Sequence, residues 1–239
     1  SSDHVPTALM AEYYAQRASA GLIIAEATMV MAGHSAFWKE PGIYPEAQIN
    51  GWQQITTAVH RAGGRIFLQL WHGGRACHPL LNGGTQPVSA SAIPILDDEV
   101  HTPEGKKPYV TPREIADSEI PSIITGFKTA AENAKAAGFD GVEIHGANTY
   151  LIQQFFSPHS NRRTDKWGGS LEKRMTFPLA VVDAVKAAVK KASDRPFIIG
   201  YRISPEELEN PGITMNDTLA LAEVLSEKEL DYLHVSTMN

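Results

Sequence analysis

Several features that would indicate a particular class of protein are scarce or missing in this 239-residue sequence. Cys77 is the single cysteine, so no internal disulfide framework can form, which suits a reducing compartment. No apolar run approaches the roughly 20 residues of a membrane-spanning helix, and no basic and apolar leader follows Ser1. Lysine and arginine total 21 against 27 acidic residues, without a basic run. We expect a soluble cytoplasmic protein that binds neither membrane nor nucleic acid.

The sequence does contain alternating patterns of short apolar strands and amphipathic helices. With 43% hydrophobic residues it can bury a sizeable core, and we treat residues 1–239 as one domain. Periodicity predicts strands at Leu22–Ala27, Arg65–Trp71, Gly141–His145, Phe197–Ile203 and Tyr232–Ser236. It predicts helices at Pro6–Ala20, Glu46–Arg61, Ser118–Ala137, Tyr150–Phe156, Leu171–Lys191 and Asn216–Glu227. The proline-rich region between His72 and Asp117 is expected to be irregular and functional, or to carry small elements of its own.

Strand and helix in alternation imply parallel strands joined by right-handed crossovers. The candidates are a β/α barrel and a doubly wound sheet. No glycine-rich G-x-G-x-x-G follows the first strand, so the barrel is favoured. Each predicted strand also ends in a polar residue, and in a barrel those ends would share one mouth. The five residues are Glu26, Gln69, His145, Arg202 and Ser236.

The strand exit at residues 145–150 carries three polar side chains of different chemistry. His145 and Asn148 can both donate hydrogen bonds to one ligand oxygen, and the Tyr150 phenol can hold a proton at neutral pH. Taken alone, a histidine and an asparagine at this spacing are more often a local cap or turn than a binding pair, and a tyrosine here is more often part of the core. Gln69 and Arg202 would suit a heterocycle that becomes anionic, such as reduced flavin. A carboxylate or phosphate ligand would also explain Arg202, and Gln69 could simply bridge side chains inside the barrel.

Several segments, in order along almost the whole chain, resemble the Old Yellow Enzyme family of flavin-dependent ene-reductases. The segments are LIIAEAT at 22–28, LQLWHGGR at 68–75, FDGVEIHGANTYL at 139–151, SPHSNRRTD at 157–165 with GGSLE at 168–172, and IGYRISP at 199–205. The resemblance implies a (β/α)8 TIM barrel that holds FMN and takes electrons from NADPH or NADH. It further implies hydride transfer to the C=C bond of α,β-unsaturated carbonyl or nitro compounds.

The resemblance also implies roles by position. His145 and Asn148 are similar to the pair that holds the electron-withdrawing oxygen of the substrate, Trp71 to a pocket wall, and Tyr150 to the catalytic proton donor.

On the cofactor side, Gln69 and Arg202 are similar to ligands of the flavin ring, and Ala27 to a backbone contact with it. No residue is assigned to a metal.

The sequence departs from the family pattern at three points. Thr149 stands where the family usually has glycine, and Trp167 stands where tyrosine is usual. Third, five strands are counted, whereas a complete barrel has eight. We therefore expect this chain to hold about five βα units. Such a fragment would be completed by another segment or by homo-oligomerisation.

Two alternatives to an ene-reductase stay open. One is a non-catalytic fragment of such a barrel. The other is a different barrel enzyme, such as a metal-dependent hydrolase using His72, His78 and His145, although these residues lack paired ligand spacing. A further open point is the charged turn at 160–170, which could bind phosphate or could pair internally and cap the next helix.

Overall fold

The computed structural model describes residues 3–190 and 196–237. Nine strands are found in these ranges, and five of them form the central sheet. The strands are β1 (Ile23–Met29), β2 (Ile66–Trp71), β3 (Val88–Ser89), β4 (Glu99–Thr102), β5 (Gly105–Pro108), β6 (Arg113–Glu114), β7 (Gly141–Gly146), β8 (Ile198–Ile203) and β9 (Tyr232–Val235).

Six α-helices connect or precede the strands in the same ranges. They are α1 (Ala8–Ala15), α2 (Glu46–Arg61), α3 (Ile120–Ala136), α4 (Leu151–Phe156), α5 (Leu171–Val189) and α6 (Met215–Glu227). None of the helices in the described ranges is long and apolar enough to cross a membrane.

The central sheet is parallel, and its order β1-β2-β7-β8-β9 follows the order of the chain. A doubly wound sheet would reverse direction at a switch point, whereas successive units of a barrel do not. The outer face of the sheet is apolar and packs on the helices, whereas its inner face carries polar side chains together with aromatic rings. These two properties identify five consecutive strands of a β/α barrel, the first four each followed by a helix in the described residues, which agrees with the partial barrel of about five βα units that the sequence predicted.

Alternation along β7 shows how the two faces arise. Val142 and Ile144 are fully buried in the main hydrophobic core, while Glu143 and His145 point to the interior of the barrel. Helix α3 covers the apolar face with a stripe that includes Ile123 and Phe127. The consequence is that polar side chains of neighbouring strands are gathered on the inner face.

The region between β2 and α3 contains two small sheets, a β3–β6 pair and a β4–β5 hairpin. Arg163 anchors this region to the β7–α5 connection, because its guanidinium donates to the carbonyls of Ala90 (3.2 Å) and Ile115 (2.6 Å). The same group pairs with Asp165 at 2.6 Å, and Ser170 caps α5. The charged turn therefore pairs internally and caps a helix, one of the two predicted alternatives.

Some predicted boundaries change. The helix expected over Pro6–Ala20 is α1 followed by a short 3-10 turn at Ala18–Ala20, and the end expected for α5 at Lys191 lies outside the described residues. The prediction that Glu26 joins the barrel mouth was wrong. The β1–β2 register shifts between Ile24 and Ala27, and the Glu26 carboxylate accepts a hydrogen bond from Tyr14 of α1 at 3.0 Å.

Candidate active site

Four of the five predicted polar strand ends lie on the inner face of the sheet. Gln69 on β2 pairs in register with Glu143 on β7, one layer below His145. His145 is in register with Arg202 on β8, and Ser236 follows β9. Since the strands are parallel and adjacent, these side chains share the carboxyl end of the sheet.

Four aromatic rings meet at this rim. The Tyr150 ring stands edge-on to Trp71, with ring centroids 4.9 Å apart, and edge-on to His145 at 5.1 Å. Both interplanar angles are 84°. Phe37 also stacks against Trp71, with ring centroids 5.9 Å apart. The phenol is therefore held in a fixed position between the imidazole and the indole.

His145 is neutral and has a defined tautomer. Burial, assisted by the positive charge of Arg202, lowers the pKa of His145 to about 3. Its Nδ1 accepts a hydrogen bond from the backbone N–H of Ala147 (3.3 Å), so the ring proton resides on Nε2. His145 can therefore donate a hydrogen bond from Nε2 without carrying a charge.

The Asn148 side chain is oriented by a relay of hydrogen bonds. Arg202 donates from Nη2 to the Ser236 hydroxyl at 3.1 Å, and that hydroxyl donates to Asn148 Oδ1 at 2.8 Å. The backbone N–H of Asn148 donates to the Ser204 hydroxyl at 2.9 Å. Because its oxygen is engaged, the Asn148 amide nitrogen is left as a second donor beside His145.

Tyr150 is the N-cap residue of α4, and its position depends on two preceding residues with left-handed backbone. Asn148 and Thr149 have φ values of 55° and 63°. Burial is the main reason that the pKa of Tyr150 rises to about 12, with a smaller contribution from Tyr109. The phenol is fully protonated near neutral pH.

Gln69 is the innermost of the predicted cofactor ligands. Its amide nitrogen donates to Glu143 Oε2 at 2.6 Å, and no described residue donates to its amide oxygen. Ala27 of β1 is in register with Gln69, which brings the predicted backbone contact to the same layer. Arg202 lies one layer higher, and its buried Nε has no partner among the described residues.

A cavity of about 520 Å³ opens onto Tyr150 and Asn148. Phe37 and Tyr109 line its aromatic side, and the β4–β5 hairpin contributes Val100 and His101. A second cavity of about 430 Å³ lies at the opposite, amino-terminal end of the strands and touches none of the predicted site residues. The long region after β2 thus walls the cavity nearest to the phenol.

The histidines considered for a metal site have other environments. His72 is fully buried and stacks on His34 with ring centroids 3.9 Å apart, and burial keeps the pKa of His72 well below its usual value. Within the described residues no three His, Cys, Asp or Glu side chains form a group that could hold a metal ion. His78 serves as the cap of a short 3-10 turn at Pro79–Leu81.

Sequence reasoning missed several residues around the site. Ser204, Tyr109 and Phe37 carried no distinguishing pattern, because their roles depend on loops folding over the rim. Glu143 gave a usable signal, since it is a charged residue that alternates with His145 inside an apolar strand. Its hydrogen-bond partners come from β2 and β9.

The sequence matches a known protein family over its whole length. The profile of the NADH:flavin oxidoreductase / NADH oxidase family matches residues 1–239. The chain therefore belongs to that family of oxidoreductases.

Individual proteins agree with the family match. The chain is 46% identical over 228 residues to the NADH:acrylate oxidoreductase of Vibrio harveyi, covering 95% of this chain and 22% of that protein. It is 46% identical over 208 residues to a probable flavin mononucleotide-dependent alkene reductase of Leishmania infantum, covering 85% of this chain and 56% of that protein. The chain thus spans about a fifth of the length of the first relative and just over half of the length of the second.

The fold has an equally clear counterpart. The solved structure of an Old Yellow Enzyme homologue from Zymomonas mobilis superimposes with a TM-score of 0.91 at 41% sequence identity. The match covers 99% of this chain and 66% of that one. The resemblance to the Old Yellow Enzyme family and the assignment of a partial barrel are confirmed.

Proposed function

We propose that this protein is an FMN-dependent oxidoreductase that uses NADPH or NADH to reduce the C=C bond of α,β-unsaturated carbonyl or nitro compounds. The observation that carries the proposal is the placement of Tyr150 between His145 and Trp71 at the carboxyl end of the sheet. Residues 1–239 would act as one FMN-binding domain. The names of the relatives support a flavin and an alkene for this family.

The residues on the inner face fit the isoalloxazine of FMN. Arg202 has no carboxylate within salt-bridge distance among the described residues, and its Nε is buried and unpartnered, as suits a ring that becomes anionic on reduction. Gln69 can accept a hydrogen bond through its amide oxygen, and Ala27 lies beside it. Bound FMN would supply the hydride.

The chain's own residues account for the rest of the chemistry. Nε2 of His145 and Nδ2 of Asn148 are the two donors available to the oxygen of the substrate, and both hydrogen bonds would strengthen as negative charge develops there. The half-buried Tyr150 phenol would deliver a proton to the α-carbon. Trp71 and Phe37 would exclude water from the phenol.

Titration with FMN tests the proposal at the level of the cofactor. Purified protein should acquire the absorption bands of bound oxidised flavin, lose them on anaerobic addition of NADPH or NADH, and recover them when cyclohexenone is added. Comparing the two nucleotides determines which reductant is preferred. A protein that stays colourless with FMN contradicts the proposal and favours the non-catalytic fragment, whereas bound zinc would favour the hydrolase.

Replacing Tyr150 by phenylalanine tests the proton donor. General-acid catalysis is typically worth about 10²- to 10⁴-fold in rate, so Tyr150→Phe should slow reoxidation by cyclohexenone by roughly that factor. The rate of flavin reduction by NADPH or NADH should stay close to that of the wild type, because that step needs no proton from the phenol. Stopped-flow absorbance follows both half-reactions.

The matched control is Tyr13→Phe, the same substitution at an exposed position on α1. It should leave both rates unchanged. Equal rates of cyclohexenone reduction by Tyr150→Phe and wild type would show that Tyr150 is not the acid.

Three finer points of the proposal stay predictions. They are the location in the cytoplasm, the identity of the physiological alkene or nitro compound, and the assembly with a second copy or a completing segment. Each requires its own measurement. Gel filtration with light scattering would determine the last.

A further inference from the structure

Glu143 is a carboxylate at the centre of the sheet that the chemistry proposed above does not use. It lies on β7, the middle strand of the five, and its side chain is completely buried. Burying a carboxylate is unfavourable unless hydrogen bonds or charges compensate it. A residue of this kind in the barrel interior therefore needs an explanation.

Three donors compensate the Glu143 carboxylate. Gln69 donates its amide N–H to Oε2 at 2.6 Å, while the Tyr232 hydroxyl (3.1 Å) and His234 Nδ1 (2.9 Å) approach Oε1. The partners lie on β2 and β9, so Glu143 connects the two sides of the inner face. Burial, reinforced by the nearby Glu143 carboxylate, raises the pKa of Tyr232, which keeps that phenol a donor.

Gly200 makes this arrangement possible. On β8 it lies in register between Glu143 and Tyr232, and a Cβ at this position would lie 2.0 Å from the Tyr232 ring. The ring occupies the space that a side chain would fill. The phenol can thus reach across β8 to the carboxylate.

The consequence concerns the orientation of Gln69. An ionised carboxylate can only accept hydrogen bonds, so it holds the amide nitrogen of Gln69 and repels the amide oxygen. The reversed amide would place an oxygen against a buried carboxylate, which is strongly unfavourable. The orientation of the amide is therefore fixed by Glu143 rather than by the cofactor.

We propose that Glu143 is a positioning residue, which sets the end of the Gln69 amide that faces the FMN ring. This inference rests on the proposed function. It assigns Glu143, with Tyr232 and His234 as its supports, to cofactor binding through Gln69 and not through direct contact.

The test measures FMN affinity and the flavin spectrum in Glu143→Gln, the isosteric neutral variant. Without the carboxylate the Gln69 amide can take both orientations, so the Kd for FMN should rise about tenfold and the visible bands of the bound flavin should shift. Quenching of FMN fluorescence gives the Kd. The matched control is Glu132→Gln, at an exposed position on α3, which should bind FMN as the wild type does.

A double-mutant cycle separates positioning from general support of the barrel. If Glu143 acts through Gln69, then Gln69→Leu and the double variant Gln69→Leu/Glu143→Gln should bind FMN with the same affinity. A structural role would add a further loss in the double variant. Such additivity, or an unchanged Kd in Glu143→Gln, would overturn the assignment.

Tyr232→Phe provides a milder variant should Glu143→Gln not fold. It removes one donor to the carboxylate but keeps the ring over Gly200, and it should raise the Kd for FMN about threefold. An unchanged Kd would contradict the assignment. Wild-type protein that binds no FMN would instead refute the proposed function along with this inference, so the two failures are distinguishable.

Discussion

Thr149 is a β-branched residue held at a φ of 63° immediately before Tyr150. Its backbone N–H donates to Gln153 Oε1 at 3.1 Å and its carbonyl accepts from Gln154 Nε2 at 2.7 Å. These bonds to α4 keep the residue in a conformation that a branched side chain resists. The strain is therefore located next to the proposed acid, where it fixes the direction in which the chain enters α4.

Glycine at this position should relieve the strain. We expect Thr149→Gly to raise the free energy of unfolding by roughly 1 kcal/mol, because glycine adopts positive φ without a steric penalty. Urea denaturation measures the change. Thr125→Gly, at an exposed position within α3, should instead lower the free energy of unfolding, since glycine weakens a helix interior. A loss of stability in Thr149→Gly would show that Thr149 is not strained.

Ser236 offers a second prediction at the scale of one residue. Its hydroxyl orients Asn148, so Ser236→Ala should free the amide and raise the KM for cyclohexenone about three- to tenfold, with a smaller effect on kcat. Steady-state kinetics provide both constants. Ser226→Ala, exposed on α6, is the matched control. An unchanged KM would show that the Ser236 hydroxyl is not needed to orient Asn148 for substrate binding.

At the scale of the elements, Arg163 connects the region between β2 and α3 to the turn before α5, and we expect this connection to matter most for stability. Its side chain is 4% exposed and links the loops that carry Ala90 and Ile115 to the turn before α5. Arg163→Ala would leave two carbonyls without a donor, and it would raise the pKa of Asp165, which the guanidinium holds below its usual value.

We expect Arg163→Ala to lower the free energy of unfolding by about 3 kcal/mol, because two buried carbonyl groups lose their donor and each such loss costs roughly 1–3 kcal/mol. Chemical denaturation followed by far-UV circular dichroism tests this. The neighbouring Arg162→Ala should change stability by less than about 0.5 kcal/mol, because Arg162 is exposed. Similar values for both variants would mean that Arg163 does not anchor the region.

The large elements could be predicted from sequence because their patterns are long. Helix α2 has the predicted bounds, Glu46–Arg61, and β2 differs by one residue. The small sheets of the 72–117 region could not be placed, since the two-residue strands β3 and β6 are too short for a period. Glu26 was misplaced because a register shift in β1 depends on pairing with β2 and leaves no local signal.

In the site, prediction succeeded where residues project from a regular strand. Period-two alternation places Gln69, His145 and Arg202 on one face, and parallel pairing then brings them together. Prediction did not extend to the Ser236–Asn148 relay or to the donors of Glu143, because those contacts join residues about 90 positions apart in sequence. The assigned roles of the seven predicted site residues stay predictions.

At the scale of the whole molecule, neutral histidines that are largely shielded from water couple stability to pH. Burial is the main cause that lowers the pKa of His145 to about 3 and of His34 to about 4. Between those values and the ordinary value of 6.5 the unfolded chain binds more protons than the folded one. Their contribution to stability is thus present above about pH 6.5 and lost as the pH falls.

His34→Asn isolates one such contribution. Between about pH 4.5 and 6, unfolding free energy should rise with pH less steeply in the variant than in the wild type, by up to about 1.4 kcal/mol per pH unit. The variant must be compared with the wild type because buried Glu40 acts in the opposite direction. Burial raises the pKa of Glu40 to about 8, so its contribution to the unfolding free energy falls as the pH rises. Urea titrations across this range supply the slopes, and identical slopes would refute the assignment to His34.

The contact between Gly200 and the Tyr232 ring has a consequence for how the sequence can change. A single methyl group at position 200 would collide with the aromatic ring and push the phenol away from Glu143. In a saturation library scored by flavin fluorescence, codon 200 should therefore tolerate no replacement. The neighbouring Ile199, which points to the helices, should accept other aliphatic residues.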